Sequence, residues 1–483
     1  MRRPRLLPAA TLSTAALLAV LTATVCALNV RGEAPLDGAG SGAGAGAGAG
    51  AESAADSAAG AAPDAALIAR GAYLARAGNC MGCHTTVGGA AYAGGRGVPT
   101  PFGTVYAPNL TPDLRTGIGA WSAAAFWRAL HNGRSRDGRL LYPAFPYPNY
   151  TRVTRADSDA LHAYLRSLPA IDQPNRAHAL RFPFNQPAAL AVWRALYFRP
   201  AGLTIDPSGT PDPTNSSAAT RSAEWQRGAY LVEGLGHCNA CHASRNVLGA
   251  SAGPLDLAGG LMPVQNWYAP SLASASEAGV AEWDTQAIVD LLKTGVAAPG
   301  GKLAAVAGPM IEVVSGGTQH LTQADLRAMA AYLKALPQAA QAHAAANRAA
   351  ATAAPVITSV STSIGVPAAA MASEADTPGA RLYEQHCAAC HGARGEGAPG
   401  IYPALAGNRA LTLPTPANLV HLVIEGGFAP ATAGNPRPFG MPPFATVLND
   451  AEVAQVLSHV RGSWGNRAAG VSAQEVARFR SAR

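Results

Sequence analysis

Six of the seven cysteines stand in three identical arrangements, in which two cysteines separated by two residues are followed at once by a histidine. The three motifs are Cys80-Cys83-His84, Cys238-Cys241-His242 and Cys387-Cys390-His391. C-x-x-C-H is the pattern that attaches c-type haem. Two cysteines on one helical turn can form thioethers with the two vinyl groups of one haem. The next residue then lies beneath the iron, so the motifs predict three covalent haems with His84, His242 and His391 as proximal ligands.

Other uses of paired cysteines explain this pattern less well. Structural zinc needs two C-x-x-C units brought together, usually at short separations, whereas these pairs lie about 150 residues apart and one pair is left over. A thioredoxin-like redox motif needs a βαβ setting. Structural disulfides suit an exported protein, but they do not explain a histidine after every pair. Haem attachment is therefore the favoured interpretation.

A haem held in this way needs a ligand on the opposite face of its iron, and methionine sulfur in that position suits electron transfer. Met441 begins MPPFA, 50 residues after His391, and Met310 lies in GPMIEV, 68 residues after His242. Both stand in loops that contain Gly or Pro, shortly before the last predicted helix of their segment. Met441 is therefore predicted to bind the third iron and Met310 the second. Met262, in GGLMPVQNWY, is the alternative for the second iron.

The first segment has no methionine after its C-x-x-C-H motif. Its corresponding loop reads LYPAFPYPNY, and aligning Ala-Phe-Pro with Gly-Met-Pro at 440–442 puts Phe145 in the methionine position. Phenylalanine cannot bind iron. The first iron is therefore expected to be open or water-bound, or to recruit another residue, of which His131 is the best placed. His131 could equally be a helix-end histidine that interacts with the last carbonyls of its helix.

The chain repeats around these motifs. The first segment opens RGAYLARAGNCMGCH, the second RGAYLVEGLGHCNACH, and the third GARLYEQHCAACHG. Tyr-Ala-Pro at 106–108 recurs at 268–270, and a tryptophan and a glycine follow at equal spacings in both segments. Equal spacing of several landmarks indicates that the first two segments share one fold.

Helices are predicted on both sides of each repeat. Short helices precede the cysteine pairs. Each segment then ends in a stretch that starts with a Thr or Asn cap and carries apolar residues at three- and four-residue steps. These terminal helices are predicted at 154–169, 321–337 and 448–464.

The composition limits the class of protein. With 52 Gly and 37 Pro in 483 residues, and without long runs of Val, Ile and aromatic residues, the chain is expected to form small, mostly helical domains joined by extended segments. Arg2, Arg3 and Arg5 contribute three of the net charge of +7, and the remaining basic residues are scattered. No nucleic-acid partner is therefore expected. The sequence contains no P-loop, no dinucleotide fingerprint in a strand-to-helix setting, and no nucleophile–base arrangement. No catalytic residue is therefore assigned.

The N-terminus has the pattern of a targeting segment. MRRPR precedes 25 uncharged residues, and Val25-Cys26-Ala27 fits a small-residue cleavage site. The uncharged run is also long enough to span a bilayer, which takes about 20 residues. A cleaved signal peptide and a retained membrane anchor both remain open. Either one predicts export to the periplasmic side of the inner membrane.

The stretches RGAYLVEGLGHCNACHASRNVLGA, NWYAPSL, GPMIEVV and VRGSWGN resemble the triple-haem cytochrome c subunit of membrane-bound bacterial dehydrogenases for alcohol, gluconate, sorbitol or fructose. The likeness runs from about residue 67 to 467. It implies a separate flavin or quinoprotein subunit that oxidises the substrate, and a haem subunit that passes electrons to ubiquinone or an oxidase. Phe145 departs from the methionine of many relatives. A phenylalanine there is similar to the cytochrome partners of molybdenum hydroxylases, so the type of partner stays open.

The expected fold is mostly α, with three tandem cytochrome c-like domains joined by linkers rich in Gly, Ala and Pro. The boundaries, in chain order, are 1–30 for the signal peptide or anchor, 31–66 for a flexible linker, 67–198 for domain 1, 199–222 for a linker, 223–338 for domain 2, 339–377 for a linker, 378–467 for domain 3 and 468–483 for a C-terminal tail.

The expected function is electron transfer in the periplasm, from a partner dehydrogenase subunit to ubiquinone or the respiratory chain, with no catalysis by this chain itself. One alternative is a cytochrome partner of a molybdenum hydroxylase. A second is a haem enzyme, such as a peroxidase, that uses an open first iron, and Phe145 is the residue that motivates it.

Overall fold

A computed structural model of the chain describes residues 9–31, 33, 64–201, 221–253, 256–301, 303–337 and 377–480. The predicted linkers at 31–66, 199–222 and 339–377 lie largely outside these described residues. The described residues form two compact units. One contains the described residues among 9–75 and 83–201, and the other contains the described residues among 76–82 and 221–480.

The described residues up to 201 are mainly helical, as the composition predicts. The helices are α1 (Ala9–Val30), α2 (Ala65–Ala77), α3 (Cys80–His84), α4 (Ala123–Asn132), α5 (Tyr147–Tyr150), α6 (Arg155–Arg166) and α7 (Pro187–Tyr197). Three short antiparallel strands form one sheet in the order β1 (Gly97–Thr100), β2 (Gly103–Tyr106) and β3 (Ala179–Leu180).

Residues 221–337 repeat much of this order. The helices are α8 (Ala223–Ala229), which continues as a π-helical stretch (Tyr230–Leu235), α9 (Asn239–His242), α10 (Thr285–Thr294), α11 (Met310–Gly316) and α12 (Gln323–Lys334). Two hairpins pair β4 (Gly260–Leu261) with β5 (Tyr268–Ala269), and β6 (Val296–Ala297) with β7 (Ala304–Ala305).

Residues 377–480 follow the same plan. The helices are α13 (Pro378–His386), α14 (Ala388–His391), α15 (Ala417–Glu425), α16 (Asp450–Gly462) and α17 (Ala473–Arg480), and one hairpin pairs β8 (Gly427–Phe428) with β9 (Gly440–Met441). The stretch predicted as a C-terminal tail thus contains α17. Val476 and Phe479 of this helix are buried in the core around α15 and α16.

The predicted terminal helices are confirmed as α6, α12 and α16. Their N-caps are Thr154, Thr322 and Asn449, and each cap side chain accepts hydrogen bonds from backbone N–H groups of the first turn. Such caps satisfy donors that the helix itself leaves free. Local sequence was therefore sufficient to locate where these helices begin.

One close contact between helices recurs three times. In each case the helix before the cysteine pair places a glycine on the backbone of the terminal helix. A Cβ built on Gly71, Gly228 or Gly379 would lie 1.9, 2.0 or 2.3 Å from a carbonyl oxygen of the facing helix. Only glycine permits this approach. The three predicted domains therefore share one crossing of their first and last helices.

Helix α1 packs against α7 through a buried polar contact. Asn29 donates to the carbonyl of Ala191 at 2.9 Å and accepts from Nε of Arg194 at 3.0 Å. Among the described residues, no helix combines the length and the apolar character needed to cross a membrane.

Candidate functional site

All three C-x-x-C-H motifs lie on short helical turns. The first occupies α3, and the other two begin at the caps of α9 and α14. The backbone N–H of His242 donates to the carbonyl of Cys238 at 2.9 Å, and that of His391 donates to Cys387 at 3.0 Å. This i to i−4 bonding supplies the geometry that the predicted attachment requires. None of the described cysteines takes part in a disulfide.

Each motif histidine is oriented by a proline carbonyl. Nδ1 of His84 lies 2.8 Å from Pro108 O, Nδ1 of His242 lies 2.7 Å from Pro270 O, and Nδ1 of His391 lies 3.1 Å from Pro403 O. A hydrogen bond from one ring nitrogen to a backbone carbonyl fixes the ring and leaves the other nitrogen for a metal. Burial also lowers the pKa of all three imidazoles, which favours the neutral form that binds iron.

These prolines were not predicted as site residues, although the sequence contains a signal for two of them. Pro108 and Pro270 end the repeated Tyr-Ala-Pro, and Pro403 follows Tyr402 in the third segment. The repeat was interpreted as a landmark of shared fold. It also supplies the acceptors that orient the proximal histidines.

The second and third motifs open into one shared cavity of about 1410 Å³. A pocket for one ligand usually has about 300–1,000 Å³, so this volume suits two large groups. The lining is largely apolar and includes, besides both motifs, Met310 and Met441. The structure thus brings the predicted axial methionines to the same cavity as His242 and His391. Met262 lines this cavity too, so it remains the alternative to Met310.

The cysteines of this cavity lie in surroundings that favour uncharged sulfur. Burial raises the pKa of the Cys238 thiol to about 12, and Cys241 adds to the rise. Burial likewise raises the pKa of Cys387 to about 11. A thioether carries no charge, so the apolar wall accommodates the linked form at no cost of desolvating a thiolate. Cavity, thiols and oriented imidazoles all fit covalent haem, whose chemistry when bound would be one-electron reduction and oxidation of the iron.

The distal loops share a backbone feature that locates Phe145. Each loop follows a helix that ends at a glycine with positive φ, and the next residue forms an antiparallel pair across the loop. The pairs are Arg134–Leu140, Val296–Ala305 and Gly427–Met441. Counted from these pairs, Phe145 and Met310 stand at the same position, five residues further on. Met441 is itself a member of its pair and therefore stands at a different position. The backbone register thus matches Phe145 to Met310, whereas the sequence alignment matched it to Met441.

Aromatic side chains of the same loop pack around Phe145. The Phe145 ring lies 5.4 Å from that of Tyr150 and 6.4 Å from that of Tyr147, which is fully buried. His131, the predicted substitute ligand, is buried in the last turn of α4 with its ring stacked on Trp127 at 4.6 Å. Burial lowers the His131 pKa. Its contacts are those of a packed helix-end histidine, and its binding to iron stays a prediction.

Two charged residues of the shared cavity have no motif that could have marked them. Glu277 is buried, and it accepts from the Tyr268 hydroxyl at 3.0 Å and from the Ser271 N–H at 2.7 Å. Arg409 donates from Nη1 to the carbonyls of Ala275 and Gly279 at 2.9 and 2.8 Å. Both residues line the cavity. Glu277 acts within one loop, and Arg409 reaches that loop from more than 100 residues away. Neither contact follows a spacing pattern that the sequence shows.

The fold and this site define a c-type cytochrome with several domains. The cytochrome c family model matches residues 68–169 and 377–464. The chain is 36% identical over 425 residues to the cytochrome c subunit of a quinone alcohol dehydrogenase from Gluconacetobacter polyoxogenes, covering 86% of this chain and 85% of that one. It is 36% identical over 426 residues to the gluconate 2-dehydrogenase cytochrome c subunit of Pantoea cypripedii, covering 86% and 90%.

The chain belongs to the family of cytochrome c subunits of alcohol, gluconate and fructose dehydrogenases. It is also 40% identical over 403 residues to a nicotinate dehydrogenase subunit of Pseudomonas putida, covering 82% of this chain and 30% of that longer protein. The predicted family, the covalent haem c and the electron-transfer role as a dehydrogenase subunit are confirmed.

Proposed function

We propose that this chain carries three haems c and passes electrons from a partner dehydrogenase to ubiquinone or the respiratory chain, on the periplasmic side of the inner membrane. The observation that supports it most is the threefold C-x-x-C-H turn, each with its histidine oriented by a proline carbonyl. The proposed attachment residues are Cys80, Cys83, Cys238, Cys241, Cys387 and Cys390.

The iron ligands of the proposal follow the sequence prediction. His84, His242 and His391 bind on the proximal side, Met310 completes the second site and Met441 the third. The chain's own contribution is to orient these ligands and to surround the second and third sites with one largely apolar cavity. Close placement within a single cavity favours transfer between these two sites.

Pyridine haemochrome analysis of the purified chain tests the number of haems. The proposal expects three haems c per chain, and two after Cys80→Ala/Cys83→Ala replacement. One haem or none in the unaltered chain would contradict it. Cell fractionation tests the location, since the haem-containing chain should be recovered with the periplasmic or inner-membrane fraction.

A molybdenum hydroxylase is a second candidate for the partner. The likeness to the nicotinate dehydrogenase subunit of Pseudomonas putida supports it, and so does Phe145, which stands where a methionine is expected. Purification of the chain from membranes with its bound large subunit separates the candidates. Flavin or a quinone cofactor in that subunit supports the first type of partner, and molybdenum supports the second.

A further inference from the structure

The peptide group between Pro270 and Ser271 makes two hydrogen bonds of interest. Its carbonyl oxygen lies 2.7 Å from Nδ1 of His242, the proximal histidine of the second site. Its N–H, which belongs to Ser271, donates to the carboxylate of Glu277 at 2.7 Å. One planar, resonance-coupled unit thus connects a buried carboxylate to the proximal histidine.

The carboxylate is held firmly in this position. Glu277 is 7% exposed, and the hydroxyl of buried Tyr268 donates to the same oxygen at 3.0 Å. From the other side, Arg409 holds the loop by donating to the carbonyls of Ala275 and Gly279. Burial and the neighbouring Glu277 carboxylate both raise the Tyr268 pKa, so this phenol remains a donor.

The corresponding peptide differs in the other two sites. In the first, the Asn109 N–H donates to the neutral amide oxygen of Asn175 at 2.7 Å. In the third, no acceptor among the described residues bonds the Ala404 N–H, and the His391 to Pro403 distance is the longest of the three, at 3.1 Å. The N–H of this peptide therefore donates to an amide oxygen in the first site and to a carboxylate in the second. In the third site it has no acceptor among the described residues.

We infer that Glu277 is a positioning residue that lowers the reduction potential of the second haem, acting through the Pro270–Ser271 peptide on His242. A carboxylate that accepts from the peptide N–H increases the negative charge on the carbonyl oxygen. That oxygen then accepts more strongly from His242, and a more basic imidazole stabilises ferric iron. The inference rests on the proposed function, since it requires haem at Cys238 and Cys241.

The test is a potentiometric titration of the purified three-haem chain and of Glu277→Gln. In Glu277→Gln the ratio of ferrous to ferric iron at one haem should rise about tenfold at fixed potential, which is about 59 mV for a one-electron couple, while the other two haems stay unchanged. Glu224→Gln, which alters an exposed carboxylate of the same domain that does not line the cavity, should leave all three potentials unchanged.

Two further variants distinguish an effect transmitted through the Pro270–Ser271 peptide from a general loosening of the loop around Glu277. Tyr268→Phe removes a competing donor from Glu277, so it should lower the potential of the same haem that Glu277→Gln raises. Asn175→Asp places a carboxylate behind the first site and should lower the potential of a different haem. That shift should be smaller, because Asn175 is exposed and its charge would be screened.

The outcomes are distinct. Absence of haem at Cys238 and Cys241 would contradict the proposed function itself. Three haems with unchanged potentials in Glu277→Gln would overturn the inference and leave the function standing. Potential shifts of the same sign in Glu277→Gln and Tyr268→Phe would also overturn it. A general loosening of the loop around Glu277 would move the potential of the second haem in one direction in both variants.

Discussion

In the proposed assignment, single side chains decide which ligand each iron receives on its distal side. Met310 and Met441 line the cavity that contains the second and third motifs, whereas the matching position of the first distal loop is Phe145, packed among tyrosines. In this assignment, loops of similar backbone carry a sulfur ligand in the second site and none in the first. We therefore expect one substitution in the first loop to change iron ligation without a change of fold.

The methionine assignment is tested by replacing each candidate with leucine. Methionine-bound ferric haem has a characteristic near-infrared absorption band. Met310→Leu and Met441→Leu should each remove about half of this signal, because each is predicted to serve one iron of two, while Met262→Leu should leave the signal intact. Loss of about half of the band in Met262→Leu, with the full band retained in Met310→Leu, would transfer the second site to Met262.

Phe145→Met is expected to add a ligand. The unaltered chain should show methionine ligation at two haems by near-infrared magnetic circular dichroism, and Phe145→Met at three, because it supplies sulfur at the position that Met310 occupies in the second domain. His131→Ala should leave the two methionine signals unchanged. Three methionine-bound haems in the unaltered chain would contradict the assignment of Phe145 to the methionine position of the first loop.

At the scale of elements, the crossing of the first and last helix organises each domain. In the first and second domains an ion pair accompanies it, since Arg70 pairs with Asp157, and Arg227 donates twice to Asp325 at 2.8 Å. The third domain keeps the glycine contact, with Gly379 against Gln455, and caps α16 with Asn449 and Glu452. Backbone contact, rather than the ion pair, is thus common to all three.

Gly228→Ala should destabilise the chain, although alanine normally favours a helix by about 1 kcal/mol over glycine. The added Cβ would lie 2.0 Å from the Ala328 carbonyl oxygen, and such overpacking costs about 1–3 kcal/mol. Urea unfolding of both variants measures the change. Gly462→Ala is the control, because its new Cβ would meet no atom within 4 Å beyond its own helix backbone and chain neighbours. Equal effects of both replacements would argue against this crossing.

Asp325→Asn should cost about 1.5–3 kcal/mol of unfolding free energy, the usual contribution of hydrogen bonds to a charged group, because it weakens a bidentate pair whose Asp325 side chain is 12% exposed. Asp159→Asn, which breaks the exposed i,i+4 pair with Arg155, should cost about 0.3–0.5 kcal/mol. Thermal denaturation compares the two, and a larger loss for Asp159→Asn would contradict the assigned role of the buried pair.

At the scale of the whole molecule, the second and third predicted domains lie in one compact unit. Several side chains join them. Asn418 exchanges hydrogen bonds with the backbone of Tyr268 at 2.8 Å, and His421 stacks on Trp267 at 4.8 Å. Arg409 reaches the loop around Glu277. Together these contacts hold the two domains against each other beside the shared cavity.

Arg409→Ala should therefore weaken the coupling between these two domains. Without its two hydrogen bonds to domain 2, the calorimetric unfolding transition of this unit should broaden or split, since the domains would unfold less cooperatively. Arg437→Ala, which truncates an exposed arginine of domain 3, should leave the transition unchanged. A single unaltered transition in Arg409→Ala would show that other contacts suffice.

The sequence by itself determined what depends on neighbours along the chain. Cysteines and histidine on one helical turn, capped terminal helices and a repeated Tyr-Ala-Pro need only short-range geometry, so the haem motifs, the helix starts and the family were predictable from them. Tertiary structure alone decided which sites share a cavity, how proline carbonyls orient the histidines, and that Glu277 stands behind the second histidine while Asn175 stands behind the first. These contacts join residues between 6 and 66 positions apart. They depend on how each loop folds back onto its motif, and residue spacing along the chain does not record that packing.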